Sequence, residues 1–306
     1  MNLATRRSRT AFVAACAALS LSLAACGSDS LEEGGETKSS APAVKATKDS
    51  ALADLVPADL KDKGTLSIGT DATYPPNESF ASDGKTIQGM DIDLLRAVLG
   101  KLGLKGTFQN AGFDSLILGV KSGKYDASIS SFTINEERKK QVSMVSYYTA
   151  GTQWVVAKGN AKKVDIDDPC GLTVAVQKGT VQVSDLDKRS KKCVSDGKKP
   201  IKSLIDDGQD KATLNAVSGR ADAMVADLPV AVDAVNKNDG KIELLGKPYD
   251  TAPYGIVIPK GDKKFGDVLV KGLEAIKKDG TYDKVLKKWG TEGGAYDTFE
   301  MDPATS

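Results

Sequence analysis

The sequence predicts an α/β protein of two lobes, each built around a mostly parallel sheet. Strand and helix patterns alternate from about residue 60 to about residue 290, which is typical of parallel sheets covered by helices. In addition, Ser-Gly-Lys-Tyr-Asp-Ala at residues 122–127 recurs 96 positions later as Ser-Gly-Arg-Ala-Asp-Ala. So short a match can arise by chance. The same offset nevertheless takes Ser131 to Asp227, each just past the end of a predicted strand. Two similar lobes would therefore present polar groups to one cleft, where open α/β sheets bind ligands.

The individual elements follow from apolar spacing. Residues 66–69 are a short predicted strand, and residues 91–103 a helix with Ile92, Leu95, Val98, Leu99 and Leu102 on one face. A second helical segment begins at residues 116–120, and residues 125–130 follow it as a strand. Residues 172–176 form a continuous apolar strand, which suits a sheet covered on both faces. The last predicted helix carries Tyr282, Val285, Leu286 and Trp289 on one face.

The N-terminal segment has the pattern of an export signal. Three arginines precede the uncharged residues 10–25, and this pattern predicts a secretory signal peptide at residues 1–25. The signal ends in Leu-Ala-Ala-Cys, which resembles the bacterial lipobox and predicts a lipoprotein with palmitate on Cys26. The alternative is an ordinary cleavage site with an incidental cysteine. Residues 26–55 hold few large aliphatics and are a predicted flexible tether. We expect the protein at the cell surface, lipid-anchored to the outer face of the cytoplasmic membrane or on the periplasmic side.

Export also bears on charge and cysteine chemistry. Removal of the predicted signal takes away three arginines. The remaining chain has 39 basic and 41 acidic residues, which gives a net charge of −2. Cys170 and Cys193 remain in an oxidising setting, so we predict a disulfide between them. A zinc site is the rival, but the chain has no histidine to complete it.

The composition excludes several classes of function. Without histidine there is no Ser-His-Asp or Cys-His nucleophile. The near-neutral charge argues against a basic nucleic-acid-binding face. We expect no nucleic-acid partner, no metal and no cofactor.

Eight motifs in fixed order carry a resemblance to a known family. They are residues 70–76 (Thr-Asp-Ala-Thr-Tyr-Pro-Pro), 89–94 (Gly-Met-Asp-Ile-Asp-Leu), 122–127, 133–138 (Thr-Ile-Asn-Glu-Glu-Arg), 177–180 (Gln-Lys-Gly-Thr), 226–231 (Ala-Asp-Leu-Pro-Val-Ala), 253–256 (Pro-Tyr-Gly-Ile) and 279–282 (Asp-Gly-Thr-Tyr). With these motifs, residues 60–290 resemble the bacterial extracellular solute-binding proteins of the polar amino-acid family, the receptors of ABC importers.

The resemblance implies a periplasmic-binding-protein-like fold, in which two α/β lobes are joined by two hinge strands and close on a ligand. It places the crossings near residues 152–156 and 251–255. Lobe 1 would comprise residues 56–152 and 253–290, and lobe 2 residues 153–252. Residues 291–306 would be a C-terminal tail.

The resemblance also implies a site for a free amino acid. Arg138 would clamp the ligand's carboxylate through two charge-assisted hydrogen bonds. Taken alone, an arginine in Glu-Glu-Arg-Lys-Lys would instead be a solvated helix charge. Thr133 would offer its backbone N–H to the carboxylate and its hydroxyl to the ammonium, and Ser131 its carbonyl to the ammonium.

Lobe 2 would complete the contacts to the ligand's charged groups. Thr180 and Val181 follow the strand at residues 172–176 and open a helix, whose free N–H groups suit the carboxylate. Val181 replaces a threonine or glycine common in relatives, so a hydroxyl contact is absent there. Asp227 would be the counter-charge for the ammonium; its alternative is a helix cap before Pro229.

The ligand's side chain would contact Asp71, Tyr74, Phe113 and Gln177, with core packing as the alternative for the two aromatic residues. A cationic or amide side chain could donate to Asp71, whereas an acidic one would be repelled, so glutamine, arginine, lysine and histidine are favoured over aspartate and glutamate.

Two residues complicate the predicted pocket. Lys178 could swing in and invert the preference between cationic and acidic ligands. Asn77 departs from the family, because an aromatic or other apolar residue usually follows Tyr-Pro-Pro.

Two rival functions stay open at this point. Some proteins of this fold are dehydratases acting on cyclic substrates, which need a general acid or base such as Asp71 or Asp227. A sensory ligand-binding module is the other rival. We expect a non-enzymatic, monomeric receptor whose partners are a free amino acid, an ABC permease and, through lipid on Cys26, the membrane.

Overall fold

The structure is a computed structural model that describes residues 46–305. The predicted signal peptide, the lipidation site Cys26 and residues 26–45 of the predicted tether lie outside the described residues. In the part of the chain that is described, no helix has the length and apolar character needed to cross a membrane.

The described residues form eleven strands and ten α-helices. The strands are β1 (Thr65–Thr70), β2 (Thr73–Tyr74), β3 (Glu78–Phe80), β4 (Ile87–Gln88), β5 (Lys105–Asn110), β6 (Ala127–Thr133), β7 (Ser143–Ala157), β8 (Thr173–Gln177), β9 (Lys202–Asp206), β10 (Ala223–Asp227) and β11 (Ile242–Ile258). The helices are α1 (Ser50–Leu55), α2 (Ala58–Lys63), α3 (Met90–Lys101), α4 (Phe113–Lys121), α5 (Glu136–Lys139), α6 (Val181–Ser195), α7 (Gln209–Val217), α8 (Leu228–Lys237), α9 (Lys263–Lys278) and α10 (Thr281–Trp289).

Eight strands form one sheet in the order β5-β1-β6-β11-β7-β10-β8-β9, and β2, β3 and β4 form a small second sheet. Strands β5, β1 and β6 are parallel to one another, as are β10, β8 and β9. The three central pairs are antiparallel. We call the part built on β5, β1 and β6 lobe 1 and the part built on β10, β8 and β9 lobe 2. The α/β class and the parallel sheets of the prediction are confirmed.

The two long strands β7 and β11 connect the lobes. Strand β7 pairs with β10 through residues 152–156, whereas β11 pairs with β6 through Tyr254, Gly255 and Val257. The register between β7 and β11 shifts on both sides of Tyr249, which faces Thr152. The crossing therefore lies near residues 149–152 and 249–253. The first predicted crossing, 152–156, is a few residues too late, because those residues already pair within lobe 2.

The internal repeat is a repeated turn. Gly123 and Gly219 both adopt left-handed backbone conformations, with φ of 75° and 73°. Three residues further on, Asp126 accepts a hydrogen bond from Ser67 N at 2.9 Å and Asp222 accepts one from Thr173 N at 2.8 Å. Each aspartate thus fastens the start of one strand to the neighbouring parallel strand of its lobe.

Each lobe has its own core. Met90, Leu94, Leu95 and Val98 of α3 pack into the lobe 1 core with residues of α9 and α10. In lobe 2, Ala175 packs on one face of the sheet while Val174 and Val176 pack on the other. This confirms that the continuous apolar strand is covered on both faces. The disulfide between Cys170 and Cys193, which joins the approach to β8 with α6, is present with Cα atoms 5.5 Å apart.

Both ends of the described chain pack on lobe 1. Helix α1 contacts α9, and its Ala53 is buried. The predicted tether at residues 26–55 therefore extends too far, because this helix has an apolar face and a lobe surface to cover. At the other end, Phe299 is buried and Met301 bridges to Val145 of β7. The predicted tail is a packed segment of lobe 1.

Candidate functional site

A cavity between the lobes brings all ten predicted ligand-binding residues together. Asp71, Tyr74, Phe113, Ser131, Thr133 and Arg138 line it from lobe 1, and Gln177, Thr180, Val181 and Asp227 from lobe 2. Three further residues line it that the sequence analysis missed: Glu78, Ser130 and Gln182. The lobes are closed on each other, since Gln209 N of α7 donates to Thr73 Oγ1 at 3.1 Å across the cleft.

Arg138 projects from the short helix α5, which begins after Asn135. The Asn135 side chain accepts a hydrogen bond from Arg138 N at 2.9 Å and thereby fixes the turn. The guanidinium lies 5.3 Å from the ring centroid of Phe113 and 5.6 Å from that of Phe132. With 7% of its surface exposed, Arg138 is not a solvated helix charge.

The Arg138 guanidinium bonds only to carbonyls. Nη1 donates to Thr133 O at 2.8 Å and Nη2 donates to Gly179 O of lobe 2 at 3.1 Å. No ion pair among residues 46–305 includes Arg138. Burial lowers the pKa of Arg138 to about 10, so the group is charged at neutral pH. A buried cation with three unused N–H donors is left in the cavity.

Asp227 is the buried anion on the opposite side of the cavity. It is the N-cap residue of α8 by position, but its side chain makes no capping hydrogen bond. Oδ1 accepts from Gln182 Nε2 and Oδ2 accepts from Tyr254 Oη, each at 2.7 Å. Burial raises the pKa of Asp227, and these hydrogen bonds and the charge of Arg138 oppose that rise.

Ser131 and Thr133 follow each other along β6. The prediction put Ser131 just past the end of its strand, but β6 continues to Thr133 because it pairs with β11. Ser131 has a left-handed backbone with φ of 53°. Its N–H donates to Asp91 Oδ2 at 2.7 Å, and its hydroxyl accepts from Asn77 Nδ2 at 2.8 Å. These bonds fix an otherwise strained backbone beside the cavity.

Asp71 follows β1 directly and is 3% exposed. Its Oδ1 accepts from Thr73 N at 3.2 Å and from Thr73 Oγ1 at 2.8 Å. Its Oδ2 accepts from Phe113 N and from Gln177 Nε2, both at 2.9 Å. Burial raises the pKa of Asp71, and the bonds to Thr73 and Phe113 oppose that rise. All four acceptor positions of this carboxylate are filled.

The two aromatic residues both line the cavity and pack in the interior. Tyr74 Oη accepts a hydrogen bond from Asp227 N at 3.1 Å across the cleft. Phe113 stacks on Phe132 with ring centroids 4.8 Å apart and belongs to a core cluster of lobe 1. For Phe113 the two alternatives of the sequence analysis are therefore not exclusive.

The start of α6 lies directly against lobe 1. Gly179 has φ of 78°, and a Cβ there would lie 3.0 Å from Asp114 Cβ, so this approach requires glycine. Thr180 donates its hydroxyl to Gln177 O at 2.8 Å. The first N–H groups of the helix, from Val181 onward, have no partners within the helix and suit an anion.

The two uncertain positions of the sequence analysis are now resolved. Lys178 pairs with Asp114 at 2.8 Å, is more than half exposed and does not line the cavity. Asn77 is fully buried, and its amide fixes Ser131. In residues 46–305, no group of three or more acidic, cysteine or histidine residues is placed to hold a metal ion.

The chain is similar in sequence to known solute-binding proteins. The family model of bacterial extracellular solute-binding proteins, family 3, matches residues 66–292. The arginine-binding protein ArgT of Corynebacterium glutamicum is 35% identical over 79% of this chain and 80% of its own. ABC transporter arginine-binding protein 1 of Escherichia coli is 31% identical over 73% of this chain and 90% of its own.

Among solved structures, the ancestral amino-acid-binding protein AncCDT-1, a precursor of cyclohexadienyl dehydratase, superposes with a TM-score of 0.68. It is 34% identical, and the match covers 78% of this chain and 99% of AncCDT-1.

Proposed function

Because this chain belongs to the bacterial extracellular solute-binding proteins of family 3, we propose that it is an amino-acid-binding receptor of an ABC importer and that its ligand has a cationic side chain. The observation that carries the proposal is the opposition of Arg138 and Asp227 in one closed cavity. An α-amino acid is the small molecule that presents a carboxylate and an ammonium at matching positions.

The carboxylate would bind Arg138, the N–H of Thr133 and the N–H groups at Thr180 and Val181. Arg138 has unused donors, and a charge-assisted hydrogen bond contributes about 1.5–3 kcal/mol. The helix start at α6 adds a favourable dipole. Since Arg138 and α6 belong to different lobes, a bound carboxylate would hold the lobes together.

The ammonium would bind Asp227, the carbonyl of Ser131 and the hydroxyl of Thr133. In the described structure, the amide of Gln182 occupies the Asp227 oxygen that an ammonium would take. We propose that Gln182 turns away when the ligand enters.

The ligand's side chain would extend toward Asp71, Tyr74, Phe113 and Gln177. Lys178 is held outside the cavity by Asp114, so Arg138 is the only cation that lines the cavity from residues 46–305. A ligand with an acidic side chain would meet Asp71 without a compensating cation. The names of the relatives ArgT and arginine-binding protein 1 support a cationic ligand.

Closure would occur by bending at the crossing of β7 and β11. We propose lobe 2 at residues 153–252 and lobe 1 at residues 56–152 and 253–290, with helix α1 and the packed C-terminal segment added to lobe 1. The register shifts around Tyr249 support this, because the regular pairing of β7 with β11 is interrupted there.

Titration calorimetry against all amino acids tests the proposal. We expect arginine, lysine or histidine to bind more tightly than glutamine, and glutamate to bind more weakly than glutamine. Lys178→Ala should leave that order unchanged. Tighter glutamate binding would refute the assigned cavity charge, and no binding by any amino acid would refute the receptor function.

An enzyme remains the second candidate, because AncCDT-1 is described as a precursor of a dehydratase. We favour a receptor that is not an enzyme and acts as a monomer. Recovery of the bound amino acid unchanged, by mass spectrometry after long incubation, is the expected result. A dehydrated product from a cyclic substrate would instead support the enzyme.

Anchoring through lipid on Cys26 is part of the proposal, as is location on the outer face of the cytoplasmic membrane. The mass of the N-terminal peptide from membrane-extracted protein tests it. We expect a lipid-modified Cys26 with palmitate, and release of a Cys26→Ser variant from the membrane fraction.

A further inference from the structure

Two fully buried carboxyl groups adjoin each other at the cavity. Glu78 of β3 lines the cavity, and Asp91, in the first turn of α3, lies behind it. Glu78 Oε1 accepts from Ser130 Oγ at 3.0 Å. Asp91 Oδ2 accepts from Ser131 N at 2.7 Å and from Tyr147 Oη at 2.7 Å. The other oxygens, Glu78 Oε2 and Asp91 Oδ1, have no donor among the described residues.

A proton held between the two carboxyls would give the unpaired oxygens a hydrogen bond to each other. Two buried carboxylates repel each other, whereas a protonated carboxyl can donate to its neighbour. Burial and the nearby charge of Asp91 hold the pKa of Glu78 well above its usual range. Burial raises the pKa of Asp91 to about 6.

The other ionisable groups around the pair supply no positive charge. Asp71, Tyr74 and Tyr147 face Glu78, and each is acidic or neutral. None of the ion pairs among residues 46–305 includes Glu78 or Asp91. The proton is therefore the only positive charge that the described residues offer these carboxyls.

Glu78 accepts fewer hydrogen bonds than Asp71, the other carboxylate at the end of the cavity assigned to the ligand's side chain. Asp71 has four hydrogen bonds, so a ligand could bond to it only by displacing a donor such as Gln177. Glu78 has one accepted hydrogen bond and one oxygen without a donor. Once the shared proton leaves, this oxygen is an acceptor that no donor of the described residues fills.

We propose that Glu78 binds the cationic group of the ligand's side chain and that this group replaces the proton shared by Glu78 and Asp91. The inference rests on the proposed amino-acid-binding function and deepens it. The displaced proton passes to the solvent, so no net charge is added to the buried site. A ligand with a neutral side chain leaves the proton in place.

This exchange makes affinity depend on pH in a ligand-specific way. Because binding of a cation releases a proton, affinity for arginine rises with pH, by about tenfold per unit while the free pair holds its proton. Citrulline has the shape of arginine but no charge. Its affinity is unaffected by this equilibrium.

Titration calorimetry at pH 7 in buffers of different protonation enthalpy counts the released protons. For the unaltered protein we expect about one proton released with L-arginine and about none with L-citrulline. Glu78→Gln keeps the size of the side chain and an acceptor for Ser130. This variant should release no proton and lose about tenfold or more in arginine affinity, with citrulline changed little. Glu274→Gln, an exposed glutamate of α9, is the matched control and should behave as the parent.

The outcomes separate the inference from the function on which it rests. Arginine binding without proton release, or with release that persists in Glu78→Gln, overturns the inference and leaves the receptor function standing. Binding of only neutral amino acids overturns it as well. Binding of no amino acid refutes the proposed function itself. If Glu78→Gln fails to fold, the unaltered protein still tests the inference, because the number of protons released with L-arginine can be compared with the number released with L-citrulline.

Discussion

Gln182 donates a hydrogen bond of 2.7 Å to Asp227, the residue that we assign to the ligand's ammonium. The same amide nitrogen donates to Thr152 Oγ1 at 3.0 Å, on the strand that crosses between the lobes. A neutral amide therefore partly satisfies a buried carboxylate that has no cation within ion-pair distance in residues 46–305. A dipole compensates a buried charge less well than a cation does, so the site favours exchange of Gln182 for an ammonium.

Asp227→Asn should weaken amino-acid binding by about tenfold or more, because a charge-assisted hydrogen bond of about 1.5–3 kcal/mol is lost. The amide keeps an acceptor for Tyr254, so the melting temperature of the free protein should change little. Calorimetry gives the affinity, and Asp233→Asn is the control, because Asp233 of α8 pairs with Lys237 and does not line the cavity. An affinity within twofold of the parent would remove Asp227 from the site.

Arg138→Ala should abolish binding of every amino acid while the protein stays folded, since it removes a buried charge and leaves both lobe cores intact. Arg96→Ala is a matched control, because Arg96 also stands over a ring, 5.0 Å from the Phe108 centroid, but does not line the cavity. Circular dichroism checks the fold and calorimetry the binding. Near-native affinity in Arg138→Ala would invalidate the carboxylate site.

Removing the disulfide with Cys170→Ser and Cys193→Ser together should lower the melting temperature by several degrees without changing ligand affinity. The bridge spans 23 residues of lobe 2, and closing such a loop contributes about 3 kcal/mol. Neither cysteine lines the cavity. Alkylation and intact mass should find no free thiol at these positions in the exported protein, and finding two would contradict the bridge.

The shared proton of Glu78 and Asp91 predicts how the stability of the ligand-free protein depends on pH. Burial raises the pKa of both carboxyls in the folded state, so this contribution is complete below pH 4 and is lost as pH rises toward and beyond 6. The loss is at most about 1.4 kcal/mol per pH unit for one proton. The free energy of unfolding of the parent protein, minus that of Glu78→Gln, should fall as the pH rises from about 4.5 to about 7.5. Urea titrations measure it, and a flat or rising difference would show that no proton is held.

Much of this fold follows from local patterns in the sequence. The apolar spacing of residues 91–103 predicts α3 within two residues, and the run at residues 172–176 predicts β8 within one residue. The ten cavity residues could be grouped because of the family resemblance: seven of them lie in its ordered motifs, and Phe113, Ser131 and Val181 lie outside those motifs. The two cysteines could be paired because the predicted export signal implies an oxidising environment.

The missed residues depend on contacts between distant segments. Glu78 reaches the cavity because β2, β3 and β4 fold the chain back on itself. The spacing of apolar residues in this segment does not predict that turn. The contact of Gln182 with Asp227 requires the lobes and the rotation of α6 to be known. The sequence offered only two hints of these residues. Glu78 directly follows Tyr-Pro-Pro-Asn, and Gln182 lies in the first turn of a helix that was assigned to bind an anion.

The packing of both chain ends on lobe 1 makes lobe 2 an insertion, joined to the rest by only β7 and β11 in the described structure. Whatever precedes residue 46 leads into lobe 1, next to α9. If the proposed receptor is held at a surface by its N-terminal segment, lobe 1 would thus be the stationary half. Lobe 2 would then be the half that moves, and it would carry Asp227 and the start of α6 toward a ligand already bound to Arg138.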